Sequence, residues 1–133
     1  MLRPIAAISG IYDAAIGLAL LLAADRVAAL FGVAPPQPPI FADLNGLFLL
    51  AVGIGYAFPY RDPIAGRWYL WVMGPFLKFA GAAAFLLDYV VRGHSPASFL
   101  LFAASDGTLA VLTLVGLRLE RPAAPATRVP PPG

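Results

Sequence analysis

Three ionisable side chains lie near the centres of long apolar stretches of this sequence, and they are the residues best suited to chemistry. They are Asp13, Lys78 and Asp106. A charged group at the centre of a lipid bilayer costs roughly 2.5–3.5 kcal/mol on insertion scales, so such groups usually face one another inside a helical bundle. The sequence therefore predicts a small membrane protein with a buried polar centre, although no motif in it specifies a reaction.

Two interpretations of this polar centre stay open. In the first, Lys78 forms an ion pair with Asp13 or Asp106 and fixes the packing of the helices. Asn45 and Tyr12 would then satisfy the remaining hydrogen bonds of the centre. In the second, the two acids outnumber the lysine, and the surplus carboxylate serves a proton relay or a site for a cationic or polar ligand.

Four apolar segments must position these residues. They cover approximately residues 4–24, 40–60, 68–91 and 97–117, between charged residues and prolines. A helix rises 1.5 Å per residue, so about 20 residues cross the roughly 30 Å hydrocarbon layer. Backbone groups in lipid must be paired within the segment, and these segments lack the alternation of a membrane β-barrel. The sequence predicts an all-α, polytopic bundle of four transmembrane helices.

Each predicted helix carries one strongly polar residue. The two aspartates and the lysine lie within about 2 Å of the midpoints of their segments, and Asn45 lies roughly one and a half turns toward the outside. Gly46 and Gly53, seven residues apart, give the second helix a smooth strip for close contact. Pro75 should kink the third helix one turn before Lys78.

Composition excludes several other classes of protein. Of 133 residues, 60% are hydrophobic and 12% charged, against about 25% charged in a typical soluble domain. The net charge of +2 is too small to indicate nucleic-acid binding. The chain has no cysteine and one histidine, His94, which excludes thiolate metal sites and bis-histidine haem ligation. We therefore expect no cofactor and no metal, and the sequence favours a non-enzymatic role.

The arginines predict the orientation, because cytoplasmic loops are enriched in positive charge. One side holds Arg3, Arg61, Arg67, Arg118, Arg121 and Arg128, and the opposite side holds only Arg26 and Arg92. This places both termini in the cytoplasm, in a multi-pass protein of the inner (plasma) membrane with the lipid bilayer as its surroundings. Six aromatic residues should form a belt at the inner interface: Tyr56, Phe58, Tyr60, Trp68, Tyr69 and Trp71.

Two segments lie outside the predicted spans. Residues 26–33 of the first loop predict a short interfacial helix, followed by a stiff proline-rich connector. Residues 1–121 form the predicted transmembrane domain and residues 122–133 a proline-rich cytoplasmic tail that is too poor in apolar residues to pack a core. The tail is expected to bind a partner through Arg121, Arg128, Pro130, Pro131 and Pro132.

Short motifs along most of the chain resemble a known group of proteins. The runs GIYDAAIGLALLL, LFGVAPPQPP and LNGLFLLAVGIGYAFPYRDP, followed by LKFAGAAAFLLDY and SDGTLAVLTL, resemble small four-helix bacterial membrane proteins that are grouped with the DoxX-like proteins. The resemblance covers residues 5–118 and implies a compact bundle in the inner membrane. Some DoxX-like proteins are linked to quinone-dependent oxidation, but this chain has no cysteine for thiol chemistry.

Two functions follow from these features. The first is a non-catalytic accessory or structural subunit of a larger inner-membrane assembly, favoured by the small size, the lack of cofactor ligands and the proline-rich tail. The second is a small transporter or DoxX-like membrane oxidoreductase component that uses the polar centre for proton or polar-ligand handling. A dry, fully paired centre would favour the subunit, and a cavity that reaches the centre would favour the second class.

Overall fold

The computed structural model describes residues 1–120, and every regular element in that range is a helix. Four helices are long and apolar enough to cross a membrane: α1 (Leu2–Phe31), α2 (Ile40–Arg61), α3 (Arg67–Arg92) and α4 (Ala97–Leu119). The predicted all-α architecture with four such helices is confirmed for the described residues. The tail residues assigned to partner binding, Arg121, Arg128 and Pro130 to Pro132, lie outside them.

Hydrogen bonds between the helix ends and the connections define two ends of the bundle. At one end, an Arg3 nitrogen lies 3.4 Å from the Arg61 carbonyl oxygen, and the Arg67 guanidinium donates to the Glu120 carbonyl oxygen at 2.8 Å. We call this the arginine end. The other end carries the connections 32–39 and 93–96, and we call it the linker end.

Helix α1 is interrupted near the linker end. Ala23 has non-helical dihedral angles (φ −153°, ψ 40°), so residues 24–31 form a distinct final segment. Gly32 then ends the helix with φ 73°, a left-handed conformation that glycine adopts without steric cost. The helix predicted for residues 26–33 corresponds in part to this last segment of α1, which begins earlier and ends at Phe31.

Helix α3 departs from α-helical geometry in two places. Val72–Phe76 forms a π-helical turn that contains Pro75, which lacks the N–H needed for a regular backbone hydrogen bond. Asp88–Arg92 forms a second π-helical turn before the helix ends at Gly93. The distortion expected at Pro75 therefore lies directly before Leu77 and Lys78, which begin the second α-helical part of α3, after the first at Arg67–Trp71.

Helices α1 and α2 pack with their backbones in direct contact along a pair of glycine strips. A Cβ atom added at Gly17 would lie 2.5 Å from the Leu50 nitrogen, and one added at Gly53 would lie 2.5 Å from the Ala14 nitrogen. Real Cβ atoms do not approach other atoms this closely, so only glycine fits these positions. The contact strip predicted on α2 therefore faces a matching strip on α1.

The apolar core lies at the arginine end, where all four helices meet. It contains Leu2 and Ala6 of α1, Val52 and Tyr56 of α2, Leu70 of α3 and Leu117 of α4. The prediction of Tyr56 as a belt residue is wrong, since its side chain is buried in this core beside the ring of Tyr69. Of the other predicted belt residues, Phe58, Tyr60, Trp68 and Trp71 are exposed on the outside of the bundle.

Candidate functional site

Lys78 joins both acids of the predicted polar centre. Its Nζ atom lies 2.7 Å from Asp13 Oδ1 on α1 and 3.2 Å from Asp106 Oδ1 on α4. The sequence left open which acid would pair with the lysine, and the structure brings all three groups together. Because they come from three different helices, the cluster connects α1, α3 and α4 in the middle of the bundle.

The two carboxylates differ in their surroundings. The Asp13 side chain is 4% exposed and the Lys78 side chain 5%, whereas the Asp106 side chain is 19% exposed. Asp13 thus makes the shorter ion pair in the more enclosed position. Asp106 makes the longer ion pair and has part of its carboxylate free for another contact.

Tyr12 takes part in the centre, but through a different contact from the one expected. Its hydroxyl forms a 2.6 Å hydrogen bond with the Ser105 hydroxyl on α4. Its ring centroid lies 5.0 Å from Lys78 Nζ, within the range of a cation–π interaction. Sequence reasoning did not identify Ser105 as a member of the centre, although its place directly before Asp106 on a helix was the available signal.

Asn45 lies apart from the ion-paired cluster. Within the described residues its side chain makes no hydrogen bond, and it lines a cavity together with Tyr12, Asp13 and Asp106. Because the glycine strip fixes the position of α2 against α1, Asn45 lines the cavity on the linker-end side of the cluster and does not contact the Lys78 ammonium group. Its predicted role as a hydrogen-bond partner of the ion pair is therefore not observed.

A cavity of about 330 Å³ extends from the polar centre toward the linker end. Tyr12, Asp13 and Asp106 lie at its polar end, and the connection from Val33 to Pro36 lies at the other. Along α1, the lining runs from Asp13 to beyond Ala24, a distance of about 16 Å at 1.5 Å per residue. Ile16, Leu20 and Leu49 are among the apolar residues between the two ends.

Four phenylalanines line the part of the cavity nearest the linker end. The rings of Phe31 and Phe102 are stacked with centroids 4.7 Å apart, and those of Phe85 and Phe102 are stacked at 5.4 Å. Phe99 contacts Phe31 edge-on at 5.8 Å. This phenylalanine cluster (Phe31, Phe85, Phe99 and Phe102) joins helices α1, α3 and α4 and gives the cavity an aromatic wall.

The formal charge along the cavity is negative. Asp13 and Asp106 line it, whereas no lysine, arginine or histidine does so among the residues that the structure describes. Lys78 lies behind the carboxylates and not on the cavity surface. The cavity can therefore offer carboxylate oxygens, the Tyr12 hydroxyl and the Asn45 amide to a ligand within an otherwise apolar surface.

A second set of buried polar groups lies on the other side of the centre, toward the arginine end. The Ser9 and Tyr56 hydroxyls are fully buried, and neither forms a hydrogen bond of ordinary geometry within residues 1–120. Ser9 lies one helical turn before Asp13, on the face of α1 that also carries Tyr12. Buried hydroxyls without partners are uncommon and are frequently bridged by water.

Metal ligation has no candidate in the described part of the chain, where no group of three or more acidic or histidine side chains comes together. Comparison of the chain with protein-family models, with curated proteins and with solved structures found no match. The resemblance to DoxX-like proteins therefore stays a prediction. The functional argument rests on the geometry of the polar centre and its cavity.

Proposed function

We propose that this protein is a small polytopic transporter of the inner membrane, in which the Asp13–Lys78–Asp106 centre handles a proton and a ligand with a polar end. The observation that supports this most directly is the cavity of about 330 Å³ that reaches both carboxylates. A purely structural ion pair needs no cavity, because close packing around it would serve stability better.

The size and lining of the cavity also support ligand binding. Pockets for small molecules commonly have volumes of about 300–1,000 Å³ and mostly apolar walls with a few placed polar groups. Here the polar groups are gathered at one end, around Asp106 and Tyr12, and the rest of the wall is apolar. Such a lining suits a molecule with an apolar body and one polar end.

The excess of acids over bases provides a reason for coupling to protons. A charged Lys78 compensates one of the two carboxylate charges. The second carboxylate can then take a proton or a positively charged or polar ligand group. Proton relays and ion pathways in membranes use acids of this kind. Exchange of a proton for a ligand at the same carboxylate would couple the movement of the two.

The distribution of arginines supports the proposed orientation. The hydrogen bonds of Arg3 with Arg61 and of Arg67 with Glu120 gather these arginines at one end of the bundle, which carries the first residues and the end of α4. Under the positive-inside rule, that end faces the cytoplasm. The cavity would then open toward the opposite, external side.

Thiol accessibility tests whether the cavity holds water in the membrane. The natural chain has no cysteine, so each variant carries a single thiol. Ile16→Cys places it on the cavity wall, and Leu18→Cys, two residues further along α1, places it on the outer surface of the bundle. We expect a water-soluble methanethiosulfonate to modify Ile16→Cys at least about tenfold faster, because such reagents need an ionised thiol in contact with water.

Leu20→Cys provides a second position on the cavity wall in case Ile16→Cys does not accumulate. If both cavity thiols are as unreactive as the Leu18 control, the centre is closed to water and the transporter proposal fails. That result would favour the accessory-subunit function. The subunit function and the membrane oxidoreductase function stay predictions, and the first depends on tail residues outside the described part of the chain.

A further inference from the structure

We propose, building on the transporter function above, that the cavity binds a lipophilic organic cation, with its positive group at Asp106 and its apolar body against the phenylalanine cluster. The inference rests on three features of the cavity: the sign of its charge, the aromatic character of its wall and the inequality of its two carboxylates. Each points to the same chemical class of ligand.

The sign of the charge excludes anionic ligands. The charged residues on the cavity surface are Asp13 and Asp106, and the described lining contains no positive side chain. In a surrounding of low dielectric constant, electrostatic interactions are much stronger than in water. An anion would be repelled by both carboxylates, whereas a cation would compensate the negative charge that Lys78 alone leaves over.

The aromatic wall suits the remainder of such a ligand. Faces of aromatic rings attract cations within about 6 Å, and this attraction is strongest for weakly hydrated organic cations in desolvated sites. The phenylalanine cluster stands between the linker end and the carboxylates, so an entering cation passes ring faces and edges before it reaches Asp106. The same rings offer an apolar surface for the body of the ligand.

Asp106 is the carboxylate that faces the ligand. Its oxygen lies 3.2 Å from Lys78 Nζ and its side chain is 19% exposed. Asp13 is more enclosed and holds Lys78 at 2.7 Å. A cation can therefore neutralise Asp106 while the Asp13–Lys78 pair stays intact, which leaves the helix contacts of the centre in place.

Binding of two nearly isosteric probes to the purified full-length protein tests the inference. N-Methyl-4-phenylpyridinium carries a permanent positive charge, and 4-methylbiphenyl has the same shape without charge. We expect the cation to bind at least about tenfold more tightly.

Asp106→Asn identifies the group responsible, since it removes the charge with little change in volume. This variant should lose the preference for the cation and should still bind 4-methylbiphenyl. Asp43→Asn is the matched control, because Asp43 lies near the linker end of α2 and not on the cavity surface. The control should bind both probes as the natural protein does.

The outcomes separate this inference from the transporter proposal. Equal affinity for the two probes, or an unchanged preference in Asp106→Asn, would overturn the cation inference even if the Ile16→Cys thiol is accessible to water. If the cavity thiols are inaccessible and neither probe binds, both proposals fail. The comparison of the two probes needs only the natural protein, so poor folding of Asp106→Asn would not prevent the test.

Discussion

The ammonium group of Lys78 lies 0.5 Å closer to Asp13 than to Asp106, since the two distances are 2.7 and 3.2 Å. Both acids line the cavity, but the shorter contact belongs to the acid that is almost fully enclosed, and the longer one to the more exposed acid, which directly follows Ser105 of the Tyr12–Ser105 pair. Asp13 is thus placed mainly to hold Lys78, whereas Asp106 is also accessible from the cavity.

Removing the lysine should damage the protein more than removing the lysine together with an acid. Lys78→Met leaves two carboxylates without a counter-ion, and breaking a buried pair in this way typically costs about 3–5 kcal/mol. Adding Asp13→Asn should recover more of this loss than adding Asp106→Asn, because Asp13 is the more enclosed acid. Thermal unfolding in mild detergent compares the variants, and strictly additive losses in both double variants would contradict the pairing.

The glycine strip between α1 and α2 should tolerate no side chain. Gly53→Ala forces a Cβ atom to within 2.5 Å of the Ala14 nitrogen, and we expect a loss of about 1–3 kcal/mol. Gly107→Ala on α4 is the matched control, because its Cβ atom would lie 3.9 Å from its nearest neighbour. The control should be neutral or slightly stabilising, since alanine favours helix by about 0.8–1.0 kcal/mol over glycine. Equal melting temperatures for the two variants would refute this account of the α1–α2 contact.

Both termini should lie in the cytoplasm. The asymmetry of arginines between the two ends of the bundle is the physical basis. Reporter fusions at Gly133 and within the first connection would measure it, with cytoplasmic activity expected at the first site and external activity at the second. External activity at Gly133 would reverse the topology and the side to which the cavity opens.

Truncation after Arg121 should leave the stability of the bundle unchanged and weaken association with any partner. The removed segment is rich in proline and alanine, and its one arginine, Arg128, could add about 1 kcal/mol near an anionic membrane surface. Melting of the truncated protein and its co-purification from mild detergent are the two measurements. An earlier melting transition would make the tail part of the fold, and full retention of partners would remove one support of the accessory-subunit function.

The four helices and the position of the charged residues near the helix midpoints could be inferred from sequence, because a membrane-spanning segment has a fixed minimum length and a charge within it is costly. The meeting of Lys78 with the two acids follows from their common depth on three helices. The break at Ala23 could not be inferred in the same way, since no proline or glycine lies at that position.

Contacts that depend on helix rotation and on the connections were harder to infer. Tyrosine is a residue type common at membrane interfaces, but the packing of α2 against α1 directs the Tyr56 side chain into the core. The hydrogen bond of Ser105 with Tyr12 and the position of Asn45 on the cavity wall depend on how the helices are rotated against each other, and an apolar sequence pattern specifies this rotation only weakly. The cavity is lined by residues of all four helices and by the 33–36 connection, a long-range arrangement that no local pattern encodes.

The glycine contact also has a mechanical consequence. It packs α1 and α2 closely into one half of the bundle, while α3 and α4 form the other, and the cavity lies between these halves. The halves are joined at the arginine end by the packing of residues such as Leu2 against Leu117. In the middle of the bundle, the Lys78–Asp13 ion pair and the Tyr12–Ser105 hydrogen bond cross between the halves. Toward the linker end, the crossing contacts are the hydrogen bond from Ser98 to the Phe31 carbonyl oxygen and the contacts between phenylalanine rings. If the two halves moved apart at the linker end to admit a ligand, the close α1–α2 contact would therefore be kept.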